Sequence, residues 1–373
     1  MTDGKRVPVT VLTGFLGAGK TTVLNHLMRQ PALSDALVII NEFGEVGLDH
    51  QLVAHANEDT VVELSSGCLC CTIRGDLVKT LRDVGWRYAR DGERWFSRVI
   101  IETTGLADPA PIIHTLMTDG HVADRYVLDG VVTVVDLVNA DNTLDQQPEA
   151  VKQVAMADAL VLTKADLADR SARESLGQRL ASLNPAADRH EVASGQLDPS
   201  FITDLGLFDT EGKIADVVSW LQAEAYADRH DHDHHHGDHD THSHDHDHHH
   251  DHDHAHAHDP NRHGDDIHAR CFQIDEPLPP KRVDALLEML LMLVGSDLLR
   301  VKGILNLEGS DRPLVIHGVQ HIFHPPATLE SWPDEDRRSK LVFITRGVPQ
   351  QLLEDLVATV SDVTPGLAST STA

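Results

Sequence analysis

Val7-Pro-Val-Thr-Val-Leu12-Thr-Gly14-Phe-Leu-Gly17-Ala-Gly19-Lys20-Thr21-Thr22 is the stretch on which the fold turns. Val7–Leu12 is a short apolar run rich in β-branched residues, and Thr21–Arg29 carries helical spacing. Between them, Gly14 to Thr21 fits the phosphate-loop pattern in the strand–loop–helix setting that this pattern needs. Glycines let backbone N–H groups converge on phosphate oxygens, and the helix N-terminus adds a positive dipole. Lys20 is then placed to reach the β- and γ-phosphates, and the Thr21 hydroxyl to ligate Mg²⁺.

Working outward, Ala36–Ile40, Val61–Leu64, Val99–Ile101, Gly130–Val135 and Ala159–Leu162 are short, continuous Val/Ile-rich runs. Such runs suit strands buried on both faces. Helical spacing fills the intervals at Thr72–Asp91, Ala110–Thr118, Glu149–Ala155 and Ser171–Leu183. Strands alternating with helices predict an α/β domain with a mainly parallel sheet, spanning residues 1–225.

Residues 226–266 break the pattern. Between Asp228 and Asp259 stand 16 histidines and 10 aspartates, a composition too polar to bury, so a disordered linker or loop is expected. Beyond it, strand-like Ala269–Ile274, Leu299–Leu305, Pro313–Ile316 and Leu341–Thr345 combine with helical Lys281–Val294 and Pro349–Val360. That order predicts a smaller α+β domain over residues 267–366, an antiparallel sheet with helices on one face, then a frayed tail over 367–373.

Composition excludes several function classes. Asp and Glu number 59 against 31 Lys and Arg, a net charge of -28, and no basic face is evident for nucleic acid. No apolar run approaches the roughly 18 residues of a membrane-spanning helix, so no membrane partner is expected. Lys5 and Arg6 before an apolar run resemble a secretory leader, yet the run enters the phosphate loop, which cleavage would destroy. Four cysteines, three of them within four positions, make no disulfide framework, and a cytoplasmic location is expected.

Further motifs sit at strand ends. Thr163-Lys164-Ala165-Asp166 follows Ala159–Leu162. Asp166 there can accept hydrogen bonds from guanine N1–H and its 2-amino group, while the stem of Lys164 lies over the base. The Ala193-Ser194-Gly195 turn is a candidate to close the base pocket. Glu102-Thr-Thr-Gly105 follows Val99–Ile101, so the Gly105 N–H is placed to sense a γ-phosphate and Glu102 to orient water or a Mg²⁺-bound water. The Asp usual at this strand end is missing.

Gly67-Cys68-Leu69-Cys70-Cys71 offers two or three thiolates to one soft metal ion. Buried structural cysteines, or a redox pair at the C-x-x-C spacing of Cys68 and Cys71, are the alternatives. Glu42, in the Asn41-Glu-Phe-Gly-Glu45 segment after Ala36–Ile40, is a candidate to complete the site. In the tract, His230, His232, His234, His235, His236, His248, His249 and His250 are candidate ligands for Zn²⁺, Ni²⁺, Cu²⁺ or Co²⁺, with a pH-sensitive spacer as the alternative. His317, His321 and His324 read as core or surface histidines, and Cys271 as buried.

Taken together, the chain closely resembles the CobW-type family of SIMIBI-class P-loop GTPases. The resemblance runs over nearly the whole chain, through VTVLTGFLGAGKTT, IINEFGEVGLD, ELSSGCLCC, IIETTGLADP and TKAD in order, then RVKGIL and IHGVQHIFHP. It implies a GTP-dependent metallochaperone serving a client metalloprotein. Gly14, Gly17, Ala18, Gly19, Lys20, Thr21 and Thr22 would hold the phosphates and Mg²⁺, and Thr163, Lys164 and Asp166 the guanine. Cys68, Cys70 and Cys71 would hold the cargo, Zn²⁺ being the expected metal and Co²⁺, for cobalamin synthesis, the alternative. A His-rich storage protein with a slow GTPase is the rival from another class.

Overall fold

The computed structural model describes residues 6–41, 61–63, 71–87, 89–90, 93–203, 205, 266–324 and 326–360. The first part runs β1 (Val7–Gly14), α1 (Lys20–Leu27), β2 (Ala36–Asn41), β3 (Val61–Glu63) and α2 (Cys71–Arg87). A two-stranded hairpin, β4 (Ala89–Arg90) and β5 (Glu93–Arg94), precedes β6 (Arg98–Thr103), α3 (Ala110–Thr118), α4 (Gly120–Ala123) and β7 (Tyr126–Asp136). Then come α5 (Ala140–Gln146), α6 (Pro148–Met156), β8 (Ala159–Thr163), α7 (Arg170–Leu183) and β9 (Asp188–Glu191).

The strands lie in the order β3-β2-β6-β1-β7-β8-β9, and every pairing is parallel. Alternate side chains of each strand enter opposite layers. Val9, Val11, Leu37, Ile39, Val99 and Ile101 pack on Leu77 and Leu81 of α2 and Ile112 and Ile113 of α3. Leu12, Val38, Ile40, Ile100 and Val134 pack on Val23, Leu24 and Leu27 of α1. Burial on both faces is why these strands read as unbroken apolar runs. The chain leaves β1 at the centre of the sheet, and its neighbours β6 and β7 come from opposite directions of winding. The crevice outside the strand ends at such a reversal is where open α/β sheets bind ligands.

The second sheet is built from β10 (Ile267–Ile274), β11 (Leu298–Leu305), β12 (Leu314–Val319), β13 (Ile322–Phe323), β14 (Ala327–Thr328) and β15 (Ser339–Arg346). Its order is β10-β15-β11-β12-β13 with β14 also on β12, and its pairings are antiparallel. Helices α8 (Pro280–Leu293) and α9 (Gln350–Ala358) cover one face through Leu286, Leu290, Leu353 and Leu356 against Val301, Leu341 and Phe343. The fold class expected from sequence, a parallel α/β phosphate-loop domain plus a smaller α+β unit, is the one observed.

The other face of this sheet meets the first: Ile267, Leu299 and Ile344 join Val151, Val154, Leu176 and Leu180 of α6 and α7 in one cluster. At this seam the buried Asp158, between α6 and β8, accepts from Arg300 and lies 3.2 Å from Lys302 Nζ, while its second oxygen accepts from the Val131 N–H at 2.9 Å. One helix boundary differs from the sequence reading. The helix expected to run to Asp91 ends at Arg87, because Ala89 and Arg90 pair back on Arg94 and Glu93. The expected boundary at residue 225, most of the tract at 226–266 and the tail at 367–373 lie outside the described residues.

Candidate functional site

β1 ends in Gly14, whose φ of 140 and close contact both demand glycine: a Cβ there would sit 2.3 Å from the Val134 carbonyl oxygen. Gly17 and Gly19 also have positive φ, 74 and 95, so the backbone curls before α1. Gly19 caps α1 with no side chain, leaving the first-turn N–H groups of the helix facing the loop. This is the geometry that receives an anion at a helix N-terminus.

Lys20 is buried, and its Nζ donates to the carbonyl oxygens of Gly14 at 2.9 Å and Phe15 at 3.4 Å. Its ammonium therefore stays at the loop's centre instead of in solvent. Thr21 Oγ1 donates to Glu102 Oε1 at 3.4 Å, bringing the expected Mg²⁺ ligand and the expected water-orienting carboxylate together. Glu102 reaches this place because β6 pairs with β1 in a register that sets Glu102 beside Leu12. Gly105 lies against the loop itself: a Cβ there would come within 2.5 Å of the Leu16 nitrogen.

The far side of the crevice is formed by β7, β8 and β9. Thr163 Oγ1 donates to Ala18 O at 2.6 Å and to Val135 O at 3.2 Å, so this hydroxyl ties the phosphate loop to two strand ends. Lys164 has a φ of 60, and its Nζ lies 2.6 Å from Asp136 Oδ2. Asp136 also accepts from the Val138 N–H at 2.9 Å and from Asn139 Nδ2 at 2.7 Å. Burial raises its pKa, but the hydrogen bonds from Asn139, Lys164 and Val138 prevail and hold the carboxyl below the ordinary range. Asp166 is exposed at the same edge. The Ala193-Ser194-Gly195 turn closes on Thr22, since a Cβ on Gly195 would lie 2.9 Å from Thr22 Cγ2.

The sequence-selected Gly14, Gly17, Ala18, Gly19, Lys20, Thr21, Thr22, Glu102, Gly105, Thr163, Lys164 and Asp166 thus gather on one edge. Sequence reading missed Asp136 and Gln153. Asp136 carried a usable signal, a lone carboxylate ending an apolar strand beside the phosphate-loop strand. Gln153, in the middle of α6, carried none. Cys71 opens α2, and β3 ends at Glu63 on the nucleotide edge. Glu42, Cys68, Cys70 and the tract histidines lie outside the described residues. Among the described residues, no group of three or more His, Cys, Asp or Glu is arranged to hold a metal ion, and no helix is long and apolar enough to cross a membrane.

A parallel sheet with a glycine loop, buried lysine and helix N-terminus at its winding reversal defines a P-loop nucleotide-binding protein. Residues 8–191 match the CobW/HypB/UreG nucleotide-binding domain, and residues 267–360 match the cobalamin synthesis protein cobW C-terminal domain. The chain belongs to this CobW family. It is 34% identical over 349 residues to the zinc chaperone YjiA of Escherichia coli, covering 92% of this chain and 96% of that one. It is 31% identical over 386 residues to the zinc chaperone CobW of Pseudomonas aeruginosa, with 95% and 91% covered. In structure it resembles the Zn(II)-bound YjiA GTPase of E. coli, with a TM-score of 0.63, 27% identity, and 95% of this chain and 99% of that one covered.

Proposed function

We propose that this chain is a GTP-hydrolysing metallochaperone that holds zinc on Cys68, Cys70 and Cys71 in the GTP state and passes it to a client metalloprotein after hydrolysis. The observation that carries this reading is the shared edge. The phosphate loop, Glu102, Gly105 and Lys164 sit at the carboxyl ends of parallel strands, and β3, which leads to the thiol cluster, ends on that edge too. The similar proteins, two zinc chaperones and a Zn(II)-bound GTPase, support the same pairing of nucleotide and metal.

In this reading the first-turn amides of α1 and Lys20 take the phosphates, whose oxygens replace the carbonyls that Lys20 now contacts. The Thr21 hydroxyl and Glu102 carboxylate, 3.4 Å apart, are hard oxygen donors that suit Mg²⁺, directly or through water. Bound there, Mg²⁺ would supply charge neutralisation on the β- and γ-phosphates. The Gly105 N–H contacts the γ-phosphate. Thr163, Lys164 and Asp166 form the guanine side, with Asp166 accepting from the base and Lys164 lying along it. Sites of this kind discriminate because the wrong base leaves their polar groups unpaired.

GTP tightens the hold of Glu42 and the cysteines on the metal, and hydrolysis weakens it. Three thiolates favour zinc over cobalt. The reducing cytoplasm keeps such thiols free. The tract at 226–266 serves to collect metal between a GTPase domain at 1–225 and a client-facing domain at 267–366.

The test is a competition titration of Zn²⁺ and Co²⁺ against a chromogenic chelator, on protein lacking Arg229–His258, with Mg²⁺ and either GDP or a non-hydrolysable GTP analogue. A one-to-one site that tightens with the analogue and vanishes on Cys70→Ala supports the chaperone, and its metal ranking decides between zinc and cobalt. A site indifferent to nucleotide transfers support to the storage reading. Linkage requires metal to tighten the analogue by the same factor.

A further inference from the structure

Helix α6 holds the turn after β6 at two carbonyls, through Gln153, and meets it again only at a part-exposed ion pair. Gln153 Nε2 donates to Gly105 O at 3.2 Å and to Ala107 O at 2.9 Å, and Lys152 Nζ lies 3.6 Å from Asp108 Oδ2. Gln153 is completely buried, and its Oε1 has no hydrogen-bond partner among the described residues. It borders a cavity of about 200 Å³ between Phe15 and Leu16 of the phosphate loop and Ala140, Leu144 and Val154 of α5 and α6. Two carbonyl acceptors admit only the NH₂ end of the amide, so the turn fixes which way Gln153 faces. A buried amide with its oxygen unused is a poor choice for packing alone, where an aliphatic chain would serve better.

The helix behind Gln153 is itself anchored. Thr133 Oγ1 donates to Gln153 O at 2.7 Å, and Asn184 Nδ2 donates to Val154 O at 2.8 Å and Ala157 O at 2.9 Å. Gly105 is therefore clamped, with Leu16 backbone on one side and the Gln153 amide on the other.

We propose that Gln153 is a positioning residue for GTP hydrolysis: its two donated hydrogen bonds fix the turn that presents the Gly105 N–H to the γ-phosphate. The inference rests on the reading of Gly105 given above. In the reaction a water oxygen bonds to the γ-phosphorus, the bridging oxygen leaves with GDP, and the water's proton goes to the released phosphate. Gln153 exchanges no proton. It acts only by holding the Gly105 N–H where charge accumulates on the γ-phosphate oxygens.

The experiment compares full-length wild type, Gln153→Leu, Gln153→Glu and the control Lys152→Met. It measures kcat at saturating GTP and the affinities of fluorescent GDP and a non-hydrolysable GTP analogue. Loss of two positioning hydrogen bonds should lower kcat about tenfold or more in Gln153→Leu. Gln153→Glu should fall further, because a carboxylate would face two carbonyl oxygens. The analogue-to-GDP affinity ratio should fall in both, with GDP affinity preserved, since GDP has no γ-phosphate for Gly105 to meet. Lys152→Met should stay near wild type. An unchanged kcat, GDP and analogue affinities that fall together, or an equal loss in Lys152→Met would each overturn the proposal. Wild-type protein that binds GDP but ignores the analogue would sink the reading of Gly105 beneath it, a failure visible before any variant is made.

Discussion

Lys164 Nζ lies 2.6 Å from Asp136 Oδ2, an ion pair that joins the ends of neighbouring strands β7 and β8. It holds a lysine whose backbone sits at a φ of 60, a conformation side chains other than glycine seldom adopt. Asp136 thereby fixes the direction of the lysine that, in the proposed reading, lies along the guanine. Asp136→Asn should weaken GDP binding by roughly fivefold, equivalent to about 1 kcal/mol for one charge-assisted hydrogen bond. Titration with fluorescent GDP measures this.

The same carboxylate gives a pH signature. Its folded pKa lies below the ordinary aspartate value of 3.8, because hydrogen bonds from Asn139, Lys164 and Val138 outweigh burial. A depressed carboxylate contributes stability that is complete above the unfolded pKa and lost as pH falls through the folded one. The Tm difference between wild type and Asp136→Asn should therefore be the same at pH 7 and pH 5 and narrow only below about pH 4. Thermal melts across that range check it, and a gap that closes near neutrality would assign the pair no such role.

Gly105 offers a sharper steric test. An added Cβ would meet the Leu16 nitrogen at 2.5 Å, and that neighbour is backbone, which cannot rotate away. Gly105→Ala should push the turn off the phosphate loop, leave GDP binding intact and reduce kcat by roughly a hundredfold, the scale of a 1 Å misplacement at a reacting centre. Gly14→Ala should be worse in a different way. Its Cβ would meet Val134 O at 2.3 Å at a φ of 140, so the loop itself cannot form and GDP binding should be lost. Single-turnover hydrolysis alongside GDP titration separates the two outcomes.

How far the sequence could be read follows from what each residue depends on. β1 and β6 are legible because burial on both faces writes itself as Val and Ile. Strand β9 is not, since Asp188–Glu191 is exposed throughout and pairs with β8 by backbone alone at the sheet edge. Gly14, Lys20 and Thr21 are legible because phosphate binding needs them at fixed spacing along the chain. The Gln153–Gly105 bond spans 48 positions and has no local pattern to find, and of the Asp136–Lys164 pair, which spans 28, only the lone carboxylate closing an apolar strand leaves a signal. The resemblance places Thr163 with Lys164 and Asp166 on the guanine side, and in the structure its hydroxyl meets the carbonyls of Ala18 and Val135. The motif marks the strand end, and packing decides which neighbour the side chain meets.

The seam between the two sheets carries a buried charge cluster. The Asp158 side chain is 3% exposed, as is that of Arg300, with Lys302 at 4%. Desolvation lowers the Lys302 pKa, and Asp158 opposes that by favouring its charged form. Asp158→Ala would leave two buried cations without their shared anion and the Val131 N–H without its acceptor. Removing one partner of such a cluster typically costs about 3–5 kcal/mol. Arg300→Met with Lys302→Met in the same background should recover much of it, because the uncompensated charges go with the anion. Urea denaturation followed at the seam, with Asp158→Ala compared to the triple variant, tests this. Equal destabilisation in both would mean that the anion's worth lies in the Val131 bond instead.

His317 and His324 make that seam sensitive to acid. Burial, together with Lys302 and Arg300, holds His317 well below the ordinary value of 6.5, and burial, with His317 and Arg300 beside it, brings His324 to about 2. Asp158 opposes the His324 shift, and Arg6 adds to it. Their lowered values favour the neutral imidazoles in the folded protein at pH values where the unfolded chain, below about 6.5, protonates them. The unfolded state then binds more protons, so stability must fall as pH drops through 6.5, by about 1.4 kcal/mol per pH unit for each histidine. His317→Gln and His324→Gln should each remove part of this slope between pH 6 and pH 4.5, even if they lower stability at pH 8. Denaturant melts at four or five pH values would show it. Wild-type stability that stays level from pH 7 to pH 5, with the variants parallel to it, would mean that these histidines reach their protons without unfolding the seam.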